Sequence, residues 1–393
     1  MTVDGPRARL PVRARVLRLV LLALVVIALG PGTFLRTPTG TRSDRAVVTV
    51  TPVAERSGIS GELEITGAWE LTAPHGWFGG FSALVAKGST GLIAGTDRGF
   101  LLDLDVSGEA PRAVPDSFRF VGISTRGRKE FVDLEALARD PASGTLWAAF
   151  ENDNLVMRFA ADGTRRIHAP PAIARWGKNS GPETMERLAD GRFLILSEGT
   201  ESGGALDRPA LLYPGDPVAG AAPLRFRFNC RAAYSPVDAT EVPGGRVLIL
   251  MRYVRYTIPA EFDAVIMIAD PATIRADGQW RGEVIQRLQG PVFGENFEGI
   301  AYVPDPSDPA KGSIWLIADD NFSVFQRSLL LRFAWNEPGD ALQRRAAVRA
   351  RDEWERALNG VQSPLLICPP IDASGKAIPA RPARQKVRPQ PAP

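Results

Sequence analysis

Short apolar runs broken by Gly, Pro, Asp or Asn fill the chain from about residue 60 to residue 336. Runs of this kind between turn formers predict β-strands joined by hairpins. Five stretches share one plan. They read FSALVAKGSTGLIAGTDRG from Phe81, DLEALARDPASGTLWAAFENDN from Asp133, PETMERLADGRFLILSEG from Pro182, PVDATEVPGGRVLILMRY from Pro236 and NFEGIAYVPDPSDPAKGSIWLIADDNF from Asn296. Their starts lie 52, 49, 54 and 60 residues apart. Each unit leads with a small or acidic residue, runs along an apolar strand, turns, and returns along a second. A third strand is predicted over 100–106, 154–160, 210–213, 263–268 and 328–335, and a fourth over 117–123, 224–229 and 283–288. Four strands in a period of about 50 residues is the signature of a propeller blade.

The predicted fold class is therefore all-β, a β-propeller of four-stranded blades. Five repeats are counted, and a sixth blade arises if the 158–182 segment or the N-terminal strands form a sheet of their own. The fifth unit lacks a fourth strand downstream, whereas GELEITGAWELT at 61–72 is strand-like without a hairpin. Closure of the ring by this N-terminal segment supplies both missing partners.

The pattern changes at both ends. Arg7, Arg9, Arg13, Arg15 and Arg18 precede an unbroken apolar run, Leu19 to Leu29, followed by Gly30-Pro31-Gly32. This is an export pattern. Residues 1–36 are read as a signal peptide or a retained N-terminal membrane anchor, and 37–58 as a linker to a propeller over 59–336. The body is then exported, either periplasmic or anchored to the inner membrane facing the periplasm. After Trp335, GDALQRRAAVRARDEWERALN predicts a helical extension within 337–368, and the Pro- and Arg-rich 369–393 predicts a disordered tail.

Composition adds little: 45% hydrophobic residues, with 38 Gly and 33 Pro among 393, fit a strand-and-turn protein. Charge is more informative. The net +3 conceals +4 in residues 1–30 and +4 in 369–393, leaving −5 for the body (3 − 4 − 4). No basic, aromatic-interleaved surface is present, which argues against nucleic acid as a partner. Two cysteines, Cys230 and Cys368, can pair outside the cytoplasm. Two histidines, His75 and His168, are too few for a His-built zinc site or a convincing Ser-His-Asp triad.

Hairpin geometry brings the start of the first strand and the end of the second to one edge. Glu298 and Asp319-Asp320 bracket the fifth hairpin in this way. Asp133 and Glu135 face Glu151, Glu183 and the less certain Glu186 face Glu198, Asp238 faces Arg252, and Ser82 faces Asp97-Arg98. The expectation is a ring of carboxylates at one mouth of the axial channel, with Arg98 and Arg252 set among them. Crowded carboxylates raise one another's pKa and call for a neutralising partner. Ca²⁺ fits as a hard cation taking oxygen ligands, and Asp133, Glu135, Glu298, Asp319, Asp320 and Asn321 are the candidate donors. Taken singly, each acid also fits a structural role, pinning blade to blade through backbone N–H groups.

The motifs GGFSAL with TDRG, DLEAL with FEND, PETMERL with LSEG, ILMRY, and NFEGIAY with IADDNF together resemble the phytase-like domain family, often called esterase-like activity of phytase proteins. The resemblance runs from about Gly79 to Trp335. It implies an exported bacterial propeller with phosphoesterase or esterase activity and a Ca²⁺-binding mouth. The positions carried over by matching motifs are Asp97, Arg98, Asp133, Glu135, Glu183, Glu198, Arg252, Glu298, Asp319, Asp320 and Asn321.

Three functions follow as expectations. The first is Ca²⁺-assisted hydrolysis of a small phosphorylated or ester substrate by a monomer, with Glu298, Glu135, Arg98 and Arg252 catalytic, Glu298 being the first choice of base. In it Arg98, Arg252, Glu183, Glu198 and Asp97 bind substrate. The alternative is a non-catalytic propeller that binds a ligand or partner, with structural Ca²⁺. A carboxylesterase ranks third, for want of a G-x-S-x-G elbow.

Overall fold

Each repeat folds because its apolar strands are buried on both faces, so the runs are continuous rather than alternating. Val247 to Met251 (VLILM) are all fully buried, as are Leu194 to Leu196. The turns between first and second strands use residues suited to sharp reversal: Gly144 and Gly191 take left-handed backbone (φ 74° and 89°), which a side chain disfavours. Asp305 instead closes the fifth hairpin by accepting from Ser307 N at 2.8 Å.

The computed structural model describes residues 11–29, 40–54, 58–122, 133–174, 176–177, 181–200, 207–229, 234–255, 257 and 260–336. Five sheets form the body, antiparallel throughout except where Gln279–Trp280 runs parallel beside Leu224–Asn229. Their innermost strands are Phe81–Ala86, Leu134–Arg139, Pro182–Arg187, Ser235–Val242 and Asn296–Asp305, each packed against the next and the last against the first. Five apolar layers lie between neighbouring sheets, and the layer of Trp69, Phe81, Leu84, Phe100, Trp315 and Ile317 joins the fifth blade to the first. Burial of each such side chain contributes about 1.5–3 kcal/mol, so closure of the ring rests on packing as well as on strand pairing. The fold is a five-bladed propeller.

Ring closure follows the expected route. Leu329–Asn336 pairs on one side with Asp308–Asp319 and on the other with Ile65–Thr72, which becomes the fourth strand of the last blade. The N-terminal part contributes more than the repeat pattern implied. Thr49–Pro52, within the segment expected to be linker, adds an outer strand beside Ile65–Thr72, and Ile59–Gly61 adds one to the fourth blade. These strands are short and half exposed, so they leave little apolar signal. The segment after residue 158 supplies Arg165–His168 as the fourth strand of the second blade, which removes the basis for a sixth sheet. In the first blade the expected fourth strand is split into Arg112–Ala113 and Arg119–Phe120.

The helix Val12–Leu29 is exposed along the part whose side chains are described and carries Arg13, Arg15 and Arg18. Among the described residues no helix is long and apolar enough to cross a membrane. Cys230, Cys368, the helical extension and the tail lie outside the described residues.

Glu186 lies near the turn of its hairpin, at the rim opposite the mouth, where its carboxylate accepts from Glu241 N at 2.7 Å. Burial pushes its pKa up to about 8. A raised acid stabilises fully below its ordinary value near 4.5 and loses that contribution as pH rises through about 8. Glu186→Gln keeps the acceptor oxygen without the charge. It should be more stable than wild type by about 1–2 kcal/mol at pH 8.5, after discounting for partial exposure, and no more stable at pH 4.5. Urea unfolding at both pH values checks this.

Candidate functional site

All five inner hairpins carry a β-bulge at the same place. The ladder slips between Phe81 and Ala83, Leu134 and Ala136, Pro182 and Thr184, Pro236 and Asp238, and Phe297 and Gly299. The residues left over are Ser82, Glu135, Glu183, Val237 and Glu298, one per blade. A bulge re-aims the side chain that it leaves unpaired and bends the strand. Three of the five are glutamates, and they lie at the mouth together with the acids that end the second strands.

Asp238 therefore sits one position beyond the bulge, and its role is structural. It is buried, and its carboxylate accepts from Ala239 N and Ile300 N at 2.8 Å and Leu84 N at 3.4 Å. It thus ties the fourth blade to the fifth and, across the axis, to the first. Burial holds its pKa well above the ordinary carboxylate range despite these donors.

One sector of the mouth is acidic. Asp133, Glu135 and Glu151 each bring a carboxylate oxygen within 4.8 Å of the other two. Asn152 donates to Asp133, and Gly181 N donates to Glu151 at 3.3 Å. Burial, then Glu183 and Asp133, push Glu135 well above its ordinary value. Glu183 is raised well above its ordinary value by burial, by Glu198 and by a hydrogen bond with Glu151. Asp97 is raised by burial and by Asp319, against the opposing pull of Arg98. Its Oδ1 is buried without a hydrogen-bond partner. Asp319 is pushed up to about 7 by burial and by Asp320.

The other sector is built on Arg252. Its Nη1 donates to Glu298 and to Asn296 Oδ1 at 3.0 Å, and its Nη2 donates to Glu198 Oε2 at 3.0 Å. One guanidinium on the fourth blade thereby clamps the third and the fifth. Asn296 Nδ2 in turn donates to Glu298 Oε1 at 2.8 Å and to Asp319 Oδ2 at 3.2 Å. Glu298 is thus committed to an ion pair and an amide.

The remaining candidates serve the loops. Asp320 accepts from Gly80 N at 3.0 Å, Phe322 N at 2.9 Å and Ser328 Oγ at 3.0 Å. Asn321 donates to Gln326 at 2.8 Å. Arg98 donates to Gly76 O at 2.7 Å and stacks on Phe322, 3.1 Å from the ring centroid. The structure thus brings Asp133 and Glu135 together and places Glu298, Asp320 and Asn321 outside that trio. Glu151 completes it. Its sequence signal is its place at the end of the second strand, where Glu151 N donates to Asp133 O at 3.0 Å. Three clustered carboxylates, two of them (Glu135 and Glu151) with raised pKa values, fit a hard divalent cation, which takes oxygen ligands and offsets their mutual repulsion.

The family model described as esterase-like activity of phytase matches residues 76–322, well over half the chain and nearly the whole ring. The chain belongs to the phytase-like family. This phytase-like propeller is also similar in fold to solved structures at low identity. A putative gluconolactonase is 12% identical with a TM-score of 0.39, covering 78% of this chain and 97% of that one. A gluconolactonase from Xanthomonas campestris is 10% identical with a TM-score of 0.37, covering 75% and 99%. Virginiamycin B lyase from Staphylococcus aureus is 11% identical with a TM-score of 0.36, covering 74% and 99%. No curated protein matches the sequence.

Proposed function

We propose that this phytase-like propeller is an exported, monomeric phosphoester hydrolase whose mouth holds Ca²⁺ at Asp133, Glu135 and Glu151. The observation that carries this reading is the convergence of those three carboxylates beside a fourth, Glu183, which is hydrogen-bonded to Glu151. Bound Ca²⁺ supplies Lewis acidity toward phosphoryl oxygens and lowers the pKa of water.

The chain's own residues supply the rest. Glu183, whose pKa is raised by burial and by Glu198, is placed to give a proton to a leaving alkoxide, the role a raised carboxyl suits. Arg252, held in one orientation by Glu198 and Glu298, sets a fixed positive charge beside the acidic sector. Asp97 and Asp319 close the ring on the far side, and Asn296 links Asp319 to Glu298. Glu298 therefore serves to position Arg252 rather than to act as the first-choice base.

The non-catalytic alternative keeps the same cation site without turnover. An esterase built on a serine is disfavoured at Ser82, the serine of the bulge ring, because its hydroxyl donates to Leu134 O at 2.5 Å and not to a base. The N-terminal segment, with Arg13, Arg15 and Arg18 leading into Leu19 to Leu29, supports export and retention at a membrane.

The test is a panel of phosphomonoesters and phosphodiesters assayed with excess Ca²⁺ and with chelator. Turnover that requires Ca²⁺ and falls on the order of 100-fold in Glu183→Gln supports the reading. Ca²⁺-dependent stabilisation with no turnover on any substrate assigns the propeller to the binding class instead.

A further inference from the structure

We infer that the mouth of the propeller faces a lipid bilayer, with Val324 and Phe325 seated among the headgroups. This rests on the reading that the N-terminal helix is retained at a membrane, and on three further observations.

The first is where the chain enters the body. The link between second and third strands, and the link from one blade to the next, both lie at the mouth. Trp77, in the link into the first blade, donates from Nε1 to Gly40 O at 2.9 Å. Arg42 stacks on Phe120, 4.1 Å from the centroid, and Asp44 accepts from Phe120 N at 3.3 Å. Phe120 pairs with Phe100, the first residue of its strand, so this contact is also at the mouth. Ten residues, 30–39, separate Gly40 from the apolar helix Val12–Leu29. Fully extended they span roughly 35 Å. Any membrane that holds the helix therefore lies within that reach of the mouth rim.

The second is where exposed apolar side chains fall. Outside the helix the large hydrophobic side chains left exposed among the described residues are Val47, Val114, Ile167, Val324 and Phe325, and Val47, Val324 and Phe325 (79%, 56% and 55% exposed) lie at the mouth. Val324 and Phe325 occupy the link after Asp320 in the fifth blade.

The third is continuity between these two places. Trp77 stacks with Arg98 at 5.6 Å, and Arg98 with Phe322 at 3.1 Å, so a chain of packing contacts joins the entry point to the Val324–Phe325 loop.

Charge decides the kind of bilayer. A body of net charge −5 is repelled by an anionic surface, so docking is by apolar insertion and favours a zwitterionic surface. Two side chains alone bind weakly. The tethered helix raises their effective concentration at the surface.

The test uses the full chain with phosphatidylcholine vesicles. Flotation reports on the helix, and amide hydrogen exchange reports on the mouth. The expected result is flotation that survives high salt, with exchange at 320–328 and 40–48 slowed about fivefold or more relative to detergent and unchanged at 304–311 on the opposite rim. Val324→Asp/Phe325→Asp should abolish the protection at 320–328 while flotation and melting temperature stay as in wild type. Flotation without protection at the mouth, or with protection at the opposite rim, overturns the docking and leaves the retained helix standing. Absence of flotation overturns both. None of these readouts depends on hydrolysis, so failure of the phosphoesterase reading is scored separately.

Discussion

Glu135→Gln should respond to Ca²⁺ in two opposite ways. With chelator present the variant should melt higher than wild type, because it removes a half-buried carboxyl whose anion is disfavoured by desolvation and then by Glu183, Asp133 and Asp97. The gain should be about 1 kcal/mol, the scale of relieving a like-charge contact. With Ca²⁺ at 100 times its dissociation constant, wild type gains about 2.7 kcal/mol by mass action, or roughly 5–10 °C for a domain of this size. The variant should lose most of that gain, so the order of melting temperatures inverts between the two buffers. Thermal melts with chelator and with a Ca²⁺ series settle it. A wild-type melt unmoved by Ca²⁺ removes the cation from the trio. The same logic makes the affinity fall as pH drops, since the raised carboxyls must lose their protons before they bind.

Arg252→Ala should be the most destabilising substitution at the mouth. The side chains of Arg252, Glu298 and Glu198 are 16%, 12% and 27% exposed, so removing the guanidinium strands two poorly solvated carboxylates. Breaking such a pair costs about 3–5 kcal/mol when fully buried, and the exposure of Glu198 brings the expected loss to about 3 kcal/mol. Arg252→Lys should recover only part of it, because an ammonium cannot present the fork that reaches both neighbouring blades. Arg252→Met/Glu298→Gln should cost less than Arg252→Ala, since it removes one of the stranded charges. Urea unfolding of the three variants tests the order. Equal stability of Arg252→Ala and wild type would show that the clamp contributes nothing.

The organisation of the fold was legible because periodic chemistry reports it. Five hairpins with acidic or small leading residues, spaced by about one blade, predicted the ring, its shared rim and its closure by residues 61–72. Thr49–Pro52 and Ile59–Gly61 were not legible, since short outer strands need no apolar run. The site was legible only in outline. Asp133, Glu135, Glu183 and Asp319 lie at the mouth as the hairpin geometry implies, but the same reasoning gives Asp320 and Asn321 equal standing, whereas the Asp320 carboxylate accepts from Gly80, Phe322 and Ser328 and the Asn321 amide donates to Gln326. A strand-end acid looks identical in sequence whether it faces the axis or staples a loop.

The sequence by itself determined the blade plan and which residues lie at the mouth, because strand direction follows from the order of apolar runs and turns. Only the tertiary structure decided which of those residues meet. The shared bulge at Ser82, Glu135, Glu183, Val237 and Glu298 depends on a ladder slip against the partner strand, which leaves no mark in the residues themselves. The hydrogen bond between Glu183 and Glu151, and the span of Arg252 from Glu198 to Glu298, cross from blade to blade. Such contacts are set by how neighbouring sheets pack, and distances between sheets are encoded in no single repeat.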